Sequence, residues 1–150
     1  MGRVLHPAQE LCLIKLKLDH NRFGTPGLAK LTEGLAQNNS LESLSLCYCD
    51  IDSDGSKYIQ QILAFFDSKL IKLKLQGNLL KNTGVFQIFR ALEINDTLEK
   101  INLADNQFGE GSEIPVIDKI CEVIVNNKSL GSYDLSFNGL FEECKNEFIK

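Results

Sequence analysis

Apolar side chains along this chain follow two alternating rhythms. In short stretches such as LIKLKLDHNRF, Leu13 to Phe23, they stand at every second residue, the mark of a strand with one buried face. Between those stretches they recur every three or four residues, as along one stripe of a helix. The stripes read Leu28, Leu31, Leu35; Ile59, Ile62, Leu63, Phe66; Phe86, Phe89, Leu92; and Ile117, Ile120, Cys121, Ile124. The pattern predicts strand, turn and helix in succession, repeated, with each apolar stripe facing the strands.

A single frame fits the chain five times, with leucine-like residues at positions 1, 4, 6 and 11 and asparagine or cysteine at position 9. The copies are Leu13, Leu16, Leu18, Asn21, Phe23; Leu41, Leu44, Leu46, Cys49, Ile51; Leu70, Leu73, Leu75, Asn78, Leu80; Leu98, Ile101, Leu103, Asn106, Phe108; and Leu130, Tyr133, Leu135, Asn138, Leu140. Starts at 13, 41, 70, 98 and 130 give periods of 28, 29, 28 and 32. Position 9 has a defined task. An Asn side chain both donates and accepts, so in the turn leaving a strand it satisfies backbone groups that no ladder reaches. Cys49 fills the same place with a weaker donor. A glycine also recurs four residues after position 11, as Gly27, Gly55 and Gly84, with Gly109 and Gly111 slightly displaced in the fourth copy.

The segments LIKLKLDHNRF and LEKINLADNQF resemble leucine-rich repeats, and the 28 to 29 residue period is similar to the ribonuclease-inhibitor type. The resemblance covers the chain from about Leu13 onward. It implies an α/β solenoid of about five repeats in one domain, residues 1–150: a short horseshoe arc with parallel strands concave and helices convex. A helix over 141–150 is expected to cap the C-terminal end, with Phe141, Cys144 and Phe148 inward. Only the short segment MGRVLHPAQELC precedes Leu13, so the expectation is a monomer, or a weak dimer through the edge near Leu5, Leu11 and Cys12.

Composition narrows the setting. The 150 residues are 43% hydrophobic and 24% charged, enough for a packed core, and the net charge of −4 disfavours nucleic acid as a partner. No apolar run reaches the roughly 20 residues of a membrane-spanning helix, so no membrane insertion is expected. MGRVLHPAQE lacks the apolar stretch of a secretory signal, and the mature chain is expected to begin near Met1. The five cysteines, Cys12, Cys47, Cys49, Cys121 and Cys144, show no CxxC spacing, which favours a reduced, cytoplasmic compartment.

Several short stretches imitate sites. DIDSDG, Asp50 to Gly55, has the alternating carboxylates of a calcium loop, but its glycine belongs to the repeat and its twelfth position is Gln61 rather than Glu. The frame places it where strand turns to helix, with Ser53 or Asp54 as the expected cap. Sequons at Asn38, Asn95 and Asn127 each precede a new frame, which marks turns where Asn tolerates a left-handed backbone. FGEGSE lacks the second half of a phosphate loop. His20 beside Asp19 has no nucleophile specified near it, so no enzyme and no cofactor or metal is expected.

The residues between the buried leucines form the candidate binding face. Lys15, Lys17, Lys72, Lys74 and Lys100 make a basic stripe, joined by Ser45, Gln76, Asn102 and Asp134; Asp19, His20, Tyr48, Asp105 and Phe137 form a second column. Tyr and Phe beside polar residues are the composition of contact anchors. The lysines would equally serve solubility. The reading is a non-catalytic protein-interaction module using its concave face. Its alternatives are a binder of a phosphorylated lipid headgroup or nucleic acid through the lysine stripe, and one arm of a larger scaffold. Richness in Lys, Asn and Ile and the acidic tail FEECKNEFIK resemble effectors that intracellular bacteria inject into host cells, which implies translocation and a host protein as partner.

Overall fold

The structure is a computed structural model that describes residues 12–109 and 114–140. The elements follow in chain order as β1 (Lys15–Lys17), α1 (Gly24–Leu35), β2 (Ser43–Ser45), a 3-10 turn (Ser53–Gly55), α2 (Ser56–Ala64), β3 (Lys72–Lys74), α3 (Lys81–Leu92), β4 (Lys100–Asn102), α4 (Val116–Asn126) and β5 (Ser132–Asp134). The strands make one parallel sheet in sequence order. Their register joins Lys15, Ser43, Lys72, Lys100 and Ser132 in one row, Leu16, Leu44, Leu73, Ile101 and Tyr133 in the next, and Lys17, Ser45, Lys74, Asn102 and Asp134 in a third. Frame positions 3, 4 and 5 are thus neighbours in space.

The molecule is a leucine-rich-repeat solenoid of strands and alternating helices, and element widths decide its curvature. Neighbouring strands lie about 4.8 Å apart whereas packed helices need about 8–10 Å, so a layer of each can stay in contact only as an arc with the sheet inside. Between the layers lies one core. Leu44, Leu46, Leu73, Leu75 and Leu103 from the strand side are fully buried against Leu28, Ile59, Ile88, Phe89, Leu92 and Ile120 from the helices. Each such side chain contributes about 1.5–3 kcal/mol on leaving water.

Two helical stripes sit differently from the periodicity expected. In α3 the buried residues are Val85, Ile88, Phe89 and Leu92, with Phe86 half-buried; in α4 they are Val116, Ile120 and Val123, while Ile117 and Cys121 are half-buried and Ile124 is exposed. VIDKICEVIV is apolar on several faces, so spacing alone admits more than one stripe and packing on the sheet chooses. Phe66 is no core residue: it follows α2 and is 93% exposed. Cys47 and Cys49 lie in the turn beyond β2, both buried.

The recurring glycine acts by making space. A Cβ at Gly27 would lie 2.4 Å from Phe23 Cβ, one at Gly55 2.5 Å from Ile51 Cγ2, and one at Gly84 3.2 Å from Leu80 Cβ. In these three repeats the start of the helical segment therefore packs directly on the position-11 side chain. The cap helix expected over 141–150 and the edge residues Leu5 and Leu11 lie outside the described residues.

Candidate functional site

Beyond each strand the backbone must turn sharply, and two asparagine ladders hold the turns. Asn78 is nearly fully buried. Its Nδ2 donates to the Leu46 and Leu75 carbonyls at 2.8 Å, and its Oδ1 accepts from the Cys49 and Ile51 amides at 3.1 Å. Asn106 and Asn138 repeat the donor half, and Cys49 Sγ replaces it with longer bonds to the Leu18 and Cys47 carbonyls at 3.3 and 3.4 Å. Burial pushes the Cys49 thiol up, which keeps it protonated and able to donate. The second ladder runs where helix returns to strand. Asn38, Asn95 and Asn127 each accept from the amides two and three residues on, and Asn95 and Asn127 also donate back to Leu63 and Leu92. These three do not adopt the left-handed backbone expected of them; Asn127, for instance, has φ −72°. The side chain itself forms the turn, so the main chain need not.

Position 8 carries the left-handed conformation instead. His20, Tyr48, Gly77, Asp105 and Phe137 have φ of 61°, 54°, 72°, 52° and 57°. For bulky L-residues this backbone is unfavourable by roughly 1–2 kcal/mol. It aims the whole column outward from the ends of the strands. The His20 and Tyr48 rings stack with centroids 4.8 Å apart and planes within 7°. Tyr48 continues across Gly77, where a Cβ would lie only 2.2 Å from the ring, and Gln76 Nε2 donates to the Tyr48 hydroxyl at 3.2 Å. Gly77 is thus the seat of the tyrosine. Phe137, 83% exposed, stands at the far end, and Tyr48, Gln76, Asp105 and Phe137 enclose a depression of about 300 Å³.

The lysine stripe occupies the rows nearer the strand starts. Lys72 and Lys100 are direct register partners, and together with Lys74, Asn102, Ser132 and Asp134 they surround a depression of about 210 Å³. Like charges opposite one another on adjacent strands are unfavourable. Among the described residues none of these three lysines is ion-paired, whereas Lys17 lies 3.6 Å from Asp19. Lys15 lies alongside Lys17 on β1.

Two candidates turn inward. Ser45 is buried, and its hydroxyl donates to Asp19 Oδ1 at 2.6 Å, which also accepts the Cys47 amide at 2.9 Å. Burial pushes the Asp19 carboxyl up, but the Ser45 and Cys47 bonds and Lys17 outweigh it and hold the group below the usual carboxylate range. Asp19 Oδ1 and Ser45 therefore tie the first repeat to the second, while Asp19 Oδ2 faces Lys17. Asp134 similarly accepts from the Ser136 amide and hydroxyl while remaining exposed. Sequence periodicity did not single out Gly77 as a site residue. The signal available was its place: a glycine in the column that otherwise holds His, Tyr, Asp and Phe.

The DIDSDG stretch resolves into a cap. Asp52, not Ser53 or Asp54, accepts the Asp54 amide at 3.0 Å and the Thr25 hydroxyl at 2.7 Å, linking the turn to the preceding repeat. Asp50 faces Arg22 at 3.9 Å. Among the described residues no three His, Cys, Asp or Glu side chains gather as metal ligands. Nor is any described helix long and apolar enough to cross a membrane.

Comparison with known proteins agrees with the architecture. The family described as Leucine Rich repeat matches residues 37–59. FERM domain-containing protein C of Dictyostelium discoideum is 30% identical over 93 residues, 62% of this chain and 6% of that protein. Ribonuclease inhibitor of Mus musculus is 30% identical over 145 residues, 95% of this chain and 31% of that protein. The chain thus spans less than a third of either relative. Among solved structures, the tropomodulin C-terminal domain of Caenorhabditis elegans superposes with a TM-score of 0.74 at 16% identity, over 93% of this chain and 82% of that one. That likeness concerns the fold alone.

Proposed function

From the premise that the chain is a leucine-rich-repeat protein with ribonuclease-inhibitor-like repeats, we propose that it is a non-catalytic module that binds a protein partner through its concave face. The observation that carries this reading is the position-8 column. Phe137 holds a backbone conformation that costs bulky residues energy while 83% exposed, so burial within the chain does not repay the cost; Tyr48 shares that backbone, is held by His20, Gly77 and Gln76, and keeps 36% of its surface open. Rigid exposed aromatics on a curved face are what a protein interface uses as anchors. A relative named for inhibition of a ribonuclease supports the same class of action. The same face would serve a module translocated into a host cell, where the partner would be a host protein.

The neighbouring lysines favour a second reading, in which a phosphorylated lipid headgroup or nucleic acid neutralises the unpaired charges of Lys72, Lys74 and Lys100. One experiment separates the two. Immobilised chain captures partners from lysates of its own and of candidate host cells, at low and at high salt. The protein-binding reading expects a stoichiometric partner retained at high salt, retained by Lys72→Glu/Lys74→Glu and lost by Tyr48→Ala/Phe137→Ala. Capture that disappears with salt and with charge reversal, yet survives loss of the two rings, overturns it in favour of the anionic ligand.

A further inference from the structure

The depression between Tyr48 and Phe137 has a composition that selects among ligands. It is lined by two aromatic residues, Tyr48 and Phe137, with Gln76 and Asp105 between them in sequence. Among the described residues Asp105 makes no side-chain hydrogen bond or ion pair; only its backbone amide is engaged, to the Ser136 carbonyl at 2.9 Å. The Tyr48 ring is fixed on three sides, by the His20 stack, by Gly77 beneath and by Gln76 at its hydroxyl. None of the lysines of the basic stripe lines this depression.

We infer that this depression is the seat of a basic side chain, lysine or arginine, presented by the protein partner; the inference rests on the protein-binding reading above. An apolar side chain placed there would strip water from Asp105 and leave the carboxylate unpaired, which is costly. An anionic group would meet the same carboxylate and the electron-rich ring faces. A cation gains from both: it pairs with the carboxylate and, over the open Phe137 ring, is attracted by the ring quadrupole, while the Tyr48 ring, already covered by His20 and Gly77, contributes apolar surface. The volume of about 300 Å³ is at the lower end of small-molecule pockets, enough for the end of one long side chain. The concave face is consequently bipolar, with Lys72, Lys74 and Lys100 around one depression and Asp105 in the other. That arrangement sets the direction in which a partner segment lies across the repeats.

Isotope-labelled full-length chain would be titrated with Nα-acetyl-lysine methylamide and Nα-acetyl-arginine methylamide, with the norleucine and glutamate analogues as uncharged and anionic controls. Expected are saturable NMR shifts at Tyr48, Gly77, Asp105 and Phe137 for the two cations. Binding of the norleucine analogue should be weaker by at least about fivefold, as should binding of the lysine probe to Asp105→Asn. Phe137→Ala, which removes an exposed wall without touching the core, should weaken it similarly. The inference is overturned if no probe shifts these residues, if norleucine binds as well as lysine, or if Asp105→Asn binds lysine unchanged. Cation binding here without any captured protein would sink the protein-binding reading, and with it the assignment to a partner's side chain, leaving only a site for a free cation. Capture that needs both rings but is indifferent to Asp105, with no cation shifts, would sink only the site.

Discussion

Replacing Asn78 by alanine tests the load carried by one side chain in the middle of the array. The substitution deletes four hydrogen bonds. The Leu75 carbonyl still receives Asn106 Nδ2 at 2.9 Å, so three backbone groups lose their partner: the Cys49 and Ile51 amides and the Leu46 carbonyl. At about 1–3 kcal/mol for each buried group left unpaired, the upper bound is roughly 3–9 kcal/mol. Water entering the vacated space recovers part of this, which places the expected loss at about 3–4 kcal/mol. Asn78→Cys should lose less, because the thiol of Cys49 already reaches two carbonyls in its own repeat. Lys74→Ala, on an exposed strand position, should cost under about 0.5 kcal/mol. Urea unfolding followed by circular dichroism at constant m gives all three values. Equal losses for Asn78→Ala and Lys74→Ala would refute the assignment of inside and outside on which the site rests.

Two glycines, Gly55 in the 3-10 turn before α2 and Gly34 near the end of α1, should respond oppositely to alanine. Gly55→Ala drives a Cβ against Ile51 and should cost about 1–3 kcal/mol, whereas Gly34→Ala, with nothing within 4 Å, should gain about 0.5–1 kcal/mol in the same unfolding assay. Because the Asp19 carboxyl is held below its unfolded value, the unfolded chain binds more protons and stability rises with pH in that range. The stabilisation is present above about pH 4 and lost as pH falls through the folded pKa, so the stability gap between the native chain and Asp19→Asn should narrow on acidification below about pH 4. Tyr133 replaces leucine at position 4 and carries a buried hydroxyl without a partner among the described residues, and burial pushes its phenol up; Tyr133→Phe should be neutral or stabilising by up to about 1 kcal/mol, as read by thermal melting.

How much of this was legible in the sequence follows from what repeats. Period, strand register and the buried rows were legible, because the frame imposes one position-specific requirement five times over: Leu16, Leu44, Leu73, Ile101 and Tyr133 align in the frame and align again across the sheet. Leucines alternating with lysines or serines allow one buried face only. The task of asparagine at position 9 was equally readable from its donor and acceptor. What the sequence left open were contacts between residues some 28 positions apart whose chemistry admits several partners. The stripe of α4 is one case, since a helix apolar on several faces is oriented only by the sheet beneath it. Asp52 rather than Asp54 became the cap because the Thr25 hydroxyl of the preceding repeat reaches its carboxylate. Asp19 and Ser45, alike polar and alike at surface positions in the frame, close on each other because stacking the first two repeats brings them within 2.6 Å. The tyrosine at 48 could be placed in its column from sequence alone. That its ring lies on the bare backbone of Gly77, held by His20 behind and Gln76 at its tip, was decided by stacking of neighbouring repeats, which brings together side chains that the one-dimensional pattern lists only as successive entries in different copies.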